Sequence, residues 1–433
     1  MSENISDNLI FGLAKKKFLK IFFFSFSLIL IVILSRLNIG LLVNRFLFAN
    51  DFFIYLLGSK LFWLKENLYD TTLINNLKNQ FDLNILTGQG YVYPPLLAYL
   101  LYPFTKLSLL NAAYIWAIIN IILYSSFGYL IFSRVNFKKN LLLLTLFLYC
   151  FFPPFSGSFG TGQINIVVFA FYVLYLMNLN KKNYLSGIFL SVAGVLKIYP
   201  VFFIINQILR KNIKIVLGFV AGSIVLIAIP LYTNPLKNLI YFITKTLPGI
   251  QSNAEVFWLN QSFNGFISRM LYDSHNSTAL FHISVQAEKL ISQSVSIIGI
   301  IGLVYLTYYF KKSKERYYLL ELVWLSGIIL IAGKSNFWIY VPTCLIFLFL
   351  VMNWGILLPW QKNLTISSYL LFAYQIFLGG FLTGKSFGTT LEFEKFGFLI
   401  SGGFFGLIIL FIVLVSLLTN KKLVKFENLF AIS

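Results

Sequence analysis

Residues 50–65 read Asn50-Asp51-Phe52-Phe53-Ile54-Tyr55-Leu56-Leu57-Gly58-Ser59-Lys60-Leu61-Phe62-Trp63-Leu64-Lys65. The stretch is strongly apolar, yet shorter than the roughly 20 residues a helix needs to cross a bilayer. It follows a long apolar run, about residues 21–42, and opens the first polar break in the chain. That break extends to Tyr91-Val92-Tyr93-Pro94-Pro95 and holds Asp51, Glu66, Asp70 and Asp82, four of only 14 acidic residues. An acidic loop at the mouth of a very apolar chain is where chemistry is expected.

The surrounding composition decides the class. Of the 433 residues, 58% are hydrophobic, 18% aromatic and 11% charged, whereas a soluble domain carries about 25% charged residues. Apolar runs near spanning length recur throughout, which reads as a polytopic membrane protein. In lipid the backbone must satisfy its own hydrogen bonds, so nearly all of it is expected to be helical. The net charge of +20 comes from Lys and Arg clustered between apolar runs. The positive-inside rule accounts for that pattern without a nucleic-acid partner. Cys150 and Cys344 both lie in apolar segments, with no metal-binding or redox spacing.

Lys15, Lys16, Lys17 and Lys20 precede the run from Ile21, and no small-residue cleavage signature follows, so this reads as an uncleaved first span. With the lysines cytoplasmic, the 50–95 loop faces outside. Residues 52–65 then suit a helix lying in the membrane interface. Residues 110–132 return to Arg134, Lys138 and Lys139, and 141–152 lead out to a broken segment from Pro153-Pro154 to Gly162-Gln163-Ile164-Asn165. Residues 164–178 return to Lys181-Lys182. Residues 185–209 are interrupted at Lys197-Ile198-Tyr199-Pro200, where proline disfavours a continuous helix. A span at 213–232, a long external loop over 233–290 and five later spans complete roughly 12 crossings, with both termini cytoplasmic. The expectation is a single integral domain in a bacterial plasma membrane.

Among the carboxylates, Asp51 is pinned closest to the membrane plane, where lipid-borne substrates carry their head groups. It is a candidate general base, with a solvated or ion-paired aspartate as the alternative. Asp70 reads as a helix cap. Gln163 and Asn165 place two amides at a span end, for helix packing or for sugar hydroxyls. Lys197 stands apart from the cytoplasmic clusters and can neutralise a phosphate, or else snorkel or pair with a carboxylate. Arg269 and Lys334 are further phosphate candidates. His275 and His282 lack the neighbours of a metal site. No nucleotide-binding glycine loop or nucleophile elbow is present.

Four ordered stretches carry a resemblance. They are Asp51-Phe52-Phe53-Ile54-Tyr55 with Asn67-Leu68-Tyr69-Asp70; Tyr93-Pro94-Pro95-Leu96 with Pro103; Gly162-Gln163-Ile164-Asn165 with Gly187 and Leu196-Lys197-Ile198-Tyr199-Pro200; and Asn260-Gln261-Ser262 with Gly265 and Arg269. Together the set resembles the polyprenyl-phosphate-mannose-dependent mannosyltransferases of glycosyltransferase family 87, in the GT-C superfold. The resemblance implies an all-α GT-C-type module over about residues 1–345, followed by C-terminal transmembrane helices over 346–433. It implies inverting transfer of a hexose, usually mannose, from a polyprenyl-phosphate donor on the external face, with Asp51 as base. It places Lys197 and Arg269 near the donor phosphate, and Tyr93, Gln163, Asn165, Tyr199, Asn260 and Gln261 along the pocket. It implies no metal and no cofactor beyond the donor, and a lipid-linked or glycolipid acceptor. The late segment Lys334-Ser335-Asn336-Phe337-Trp338 departs from the family, which often carries Ser-Trp followed by histidine there. A transporter or flippase of a lipid-linked sugar is the alternative.

Overall fold

The structure is a computed structural model that describes residues 3–36, 50–81, 90–134, 139–181, 183–234, 236–252, 259–271, 281, 283–313, 316–377 and 400–419. Asp82, His275 and His282 lie outside them. The described chain is helical, with no strand, as a lipid-embedded backbone requires.

The helices in order are α1 (Glu3–Arg36), α2 (Asn50–Trp63), α3 (Thr71–Gln80), α4 (Pro95–Leu100), α5 (Leu109–Arg134), α6 (Lys139–Cys150), α7 (Pro153–Thr161), α8 (Asn165–Leu179), α9 (Tyr184–Leu196) and α10 (Phe203–Leu209). Then come α11 (Ile213–Leu231), α12 (Leu236–Tyr241), α13 (Leu247–Ser252), α14 (Phe263–Leu271), α15 (Val285–Phe310), α16 (Tyr317–Ile331), α17 (Cys344–Met352), α18 (Pro359–Phe377) and α19 (Gly402–Leu417). Among the described residues five helical stretches are long and apolar enough to cross a membrane: Ala14–Arg36, Leu109–Arg134, Leu141–Thr161, Ile213–Leu231 and Val285–Phe310. Six shorter apolar helical stretches pack with them. The first crossing therefore lies earlier than the 21–42 read from hydropathy.

Two local readings change. The chain does break before Pro153, between α6 and α7, but the segment that follows is helical, because Pro153 and Pro154 occupy the first positions of α7, where a helix has no use for the missing N–H. Helix α2 does not rest on the interface with one free face. Residues 52–59 are all buried, and α3, α4, the 3₁₀ turn Tyr102–Lys106, α5 and α7 enclose them. A helix apolar all round is a core helix.

Three helices orient the site. Helix α8 runs from Asn165 to Leu179 and the turn at Lys181, and α9 returns from Tyr184 to Leu196. At the basic end, Asn206 and Gln207 donate to buried Glu321 of α16 at 2.5 and 2.6 Å, and Arg210 stacks on Tyr317 at 3.9 Å. Asn165, Lys197 and the residues after Ile331 therefore share the opposite end.

Helices α9 and α11 cross at glycines. A Cβ at Gly187 would strike the Ile215 carbonyl oxygen, and one at Gly218 the Tyr184 carbonyl oxygen. Small residues permit this approach between membrane helices. Gly187→Ala is expected to destabilise the fold by about 1–3 kcal/mol through overpacking, read as a lower thermal midpoint in detergent. An unchanged midpoint would show that the crossing has room.

Candidate active site

Asp51 lies in the first turn of α2, so its position is fixed by the packing of Phe52 and Phe53 behind it. Phe52 stacks on Trp116 with centroids 5.2 Å apart. Gln163 reaches Asp51 because α7 ends in a left-handed turn. Gly162 has φ 70°, its N–H bonds to the Phe159 carbonyl, and the Gln163 N–H bonds to the Ser158 carbonyl at 2.9 Å. Glycine takes this conformation without a Cβ penalty. Lys197 is released from α9 because Pro200 has no N–H to offer the Leu196 carbonyl. The chain turns extended at Lys197 and re-enters through a 3₁₀ turn at Tyr199–Phe202.

These elements bring four side chains from three distant segments into one polar net. The Gln163 Nε2 donates to Asp51 Oδ2 at 3.0 Å. The Gln163 Oε1 accepts from Asn165 Nδ2 at 2.6 Å and from Lys197 Nζ at 3.3 Å. Lys197 Nζ also donates to Asn165 Oδ1 at 2.7 Å. Asn165 Nδ2 is anchored on the Trp338 carbonyl at 2.9 Å. Tyr93 closes one side, its ring 5.5 Å from the Lys197 ammonium and its hydroxyl 3.0 Å from that of Tyr55. Gln163 and Asn165 are buried, whereas Asp51, Lys197 and Tyr93 are half-buried and open to the site. The charge of Lys334 reaches both Asp51 and Lys197.

Burial holds the Asp51 carboxyl above its ordinary pKa, against the opposing pull of the Gln163 hydrogen bond, the Lys197 charge, the Thr161 hydroxyl and the Lys334 charge. A base works only when ionised, so activity should fall as pH drops through this raised value. Gln163→Leu removes one influence that favours the ionised form, and should move the acid limb of kcat/KM to higher pH. An acid limb that stays in place would detach Gln163 from the titrating group.

Arg269, Asn260 and Gln261 form a second group. Arg269 is fully buried, with Nη1 on the Asn260 carbonyl at 2.7 Å and Nη2 on the Ser401 hydroxyl at 2.9 Å. The Gln261 N–H bonds the Ser335 carbonyl at 2.8 Å, and the Phe337 N–H bonds the Leu259 carbonyl at 2.8 Å, forming an isolated antiparallel bridge at Asn260 and Asn336. Gln261 spends its side chain on the Ile400 carbonyl and the Phe404 N–H. This group braces residues 333–338, whose far end supports Asn165. Tyr199 is buried and its hydroxyl makes no hydrogen bond among the described residues. Asp70 caps α3, accepting from the Thr72 and Leu73 N–H groups at 2.8 and 3.3 Å. Glu66 is exposed.

A buried amide pair thus joins a carboxylate to a lysine at one end of an all-α bundle. The model of glycosyltransferase family 87 matches residues 91–333, more than half the chain. The chain belongs to this family and is a membrane glycosyltransferase. The match covers every site residue named above up to Arg269 except Asp51 and Tyr55, which the structure joins to it through Gln163 and Tyr93. No curated protein and no solved structure matches the chain.

Proposed function

We propose that the chain transfers a hexose, with mannose the first candidate, from a polyprenyl-phosphate donor to a lipid-linked or glycolipid acceptor. The contact that carries this reading is the Asp51–Gln163–Lys197 relay, which sets a carboxylate and a cation on one amide. Asp51 takes the proton from an acceptor hydroxyl as its oxygen attacks the anomeric carbon. The bond from that carbon to the phosphate oxygen breaks, and polyprenyl phosphate leaves with the electron pair, inverting the centre. Lys197 and Lys334 balance the charge that develops on the leaving phosphate. Arg269 supports this region through Asn260 and residues 333–338. The reaction takes no cofactor beyond the donor. The site faces the outside of a bacterial plasma membrane, with both termini cytoplasmic, since the Lys181, Arg210 and Arg316 end carries the basic clusters.

Purified protein is given radiolabelled polyprenyl-phosphate mannose and a membrane glycolipid extract, beside an Asp51→Asn variant. Transfer by the parent and none by the variant is expected. Equal transfer by both would overturn the assignment of the base. Movement of donor across vesicles without transfer would favour a flippase.

A further inference from the structure

A one-way chain of hydroxyls ends at Tyr93. It starts at the Ile164 backbone N–H, which can only donate and gives its proton to the Tyr55 hydroxyl oxygen at 3.4 Å. Tyr55 is fully buried, and the Tyr93 hydroxyl, 3.0 Å away, is the acceptor for its own proton. The reverse order would leave the Tyr55 proton buried with no partner, at a desolvation cost. In the observed order the remaining proton sits on Tyr93, which is half-buried and borders the polar net. No described acceptor takes that proton. An incoming hydrogen bond and a cation at the ring both strengthen an O–H as a donor.

Two further features define what it meets. Lys197 uses two of its three N–H donors on Gln163 and Asn165, leaving one. Among the described residues, Lys197 and Lys334 are the basic groups whose charge reaches Asp51. A polyprenyl-phosphate sugar is a phosphodiester with one negative charge, the kind of group such side chains bind.

We propose that Tyr93 is a catalytic residue that donates a hydrogen bond to a phosphate oxygen of the donor and of the departing polyprenyl phosphate. This rests on the donor class proposed above. As the sugar leaves, the phosphate gains negative charge, so the bond strengthens along the reaction and acts on kcat more than on KM. The backbone carbonyl of Tyr93 holds the Tyr69 hydroxyl, and the Tyr93→Phe substitution leaves that contact in place.

The test is equilibrium binding of a short-chain polyprenyl phosphate to the full-length protein in detergent, with turnover measured in parallel. Tyr93→Phe should bind the phosphate about tenfold to a hundredfold more weakly, as expected for losing a hydrogen bond to a charged group, and should lower kcat by a similar factor with donor KM nearly unchanged. Tyr55→Phe should act in the same direction by a smaller factor, and decides the matter should Tyr93→Phe lose its thermal transition. Undiminished phosphate affinity and kcat in both variants would overturn the role of Tyr93. Phosphate binding that weakens as expected in a protein that transfers no sugar would uphold the contact and overturn the reading as a transferase of this donor class.

Discussion

Asp51→Asn is expected to lower kcat by about 10²–10⁴-fold, the usual contribution of a general base, while leaving the fold intact. Asp51 is the only carboxylate in the Asp51–Gln163–Asn165–Lys197 net, and in its ionised form it can take a proton from an acceptor hydroxyl. Gln163 Nε2 donates to it, so the amide cannot replace it. Asparagine keeps the size and one oxygen acceptor but loses the basicity. The substitution also removes a partly buried charge, so the thermal midpoint should hold or rise. Purified variant and parent, compared for initial rate and for melting, check both halves. A variant that melts normally and turns over at the parental rate would remove Asp51 from the chemistry.

Lys197→Met is expected to cut kcat/KM by about 10–10²-fold, from the loss of a charged hydrogen-bond donor at the phosphate. A second effect runs through Asp51. The ammonium helps keep the carboxylate ionised, so its removal should shift the acid limb of the pH profile upward. The Gln163 and Asn165 oxygens would also lose a partner, which loosens the amide that faces Asp51. Lys197→Arg is not a neutral exchange, since a planar fork does not fit the pocket of a compact ammonium. Steady-state kinetics across pH separates the two effects. A loss of rate with no pH shift would confine Lys197 to the phosphate.

The members of this candidate site are legible in the sequence one residue at a time. Asp51 stood out because it opens an apolar helix after the first polar break, and Lys197 because it interrupts an apolar run beside Pro200. Gln163 and Asn165 stand out as amides at a span end, but their use is not readable from sequence. Sequence offers packing or sugar binding for such a pair, whereas the structure has them join a carboxylate to a cation 146 positions away in the chain. Nothing in the residue type alone marks Tyr55, although it lies four residues after Asp51 and so on the same helix face. The burial of α2 also had a signal, since Phe52–Leu57 offers no polar face. What sequence could not carry is the pairing of 259–261 with 335–337, which fixes Arg269, Asn260 and Gln261 as a brace. Such backbone pairing between distant segments leaves no trace in hydropathy or spacing.

The proposed reaction is direct displacement of polyprenyl phosphate by a hydroxyl that Asp51 activates. Its most direct test is the anomeric configuration of the product, read by nuclear magnetic resonance after the purified protein has moved isotopically labelled mannose from polyprenyl-phosphate mannose to a glycolipid acceptor. Label on the acceptor with the anomeric centre inverted relative to the donor is the expected result. Label on the acceptor with retained configuration, or label that never leaves the polyprenyl phosphate, would contradict it.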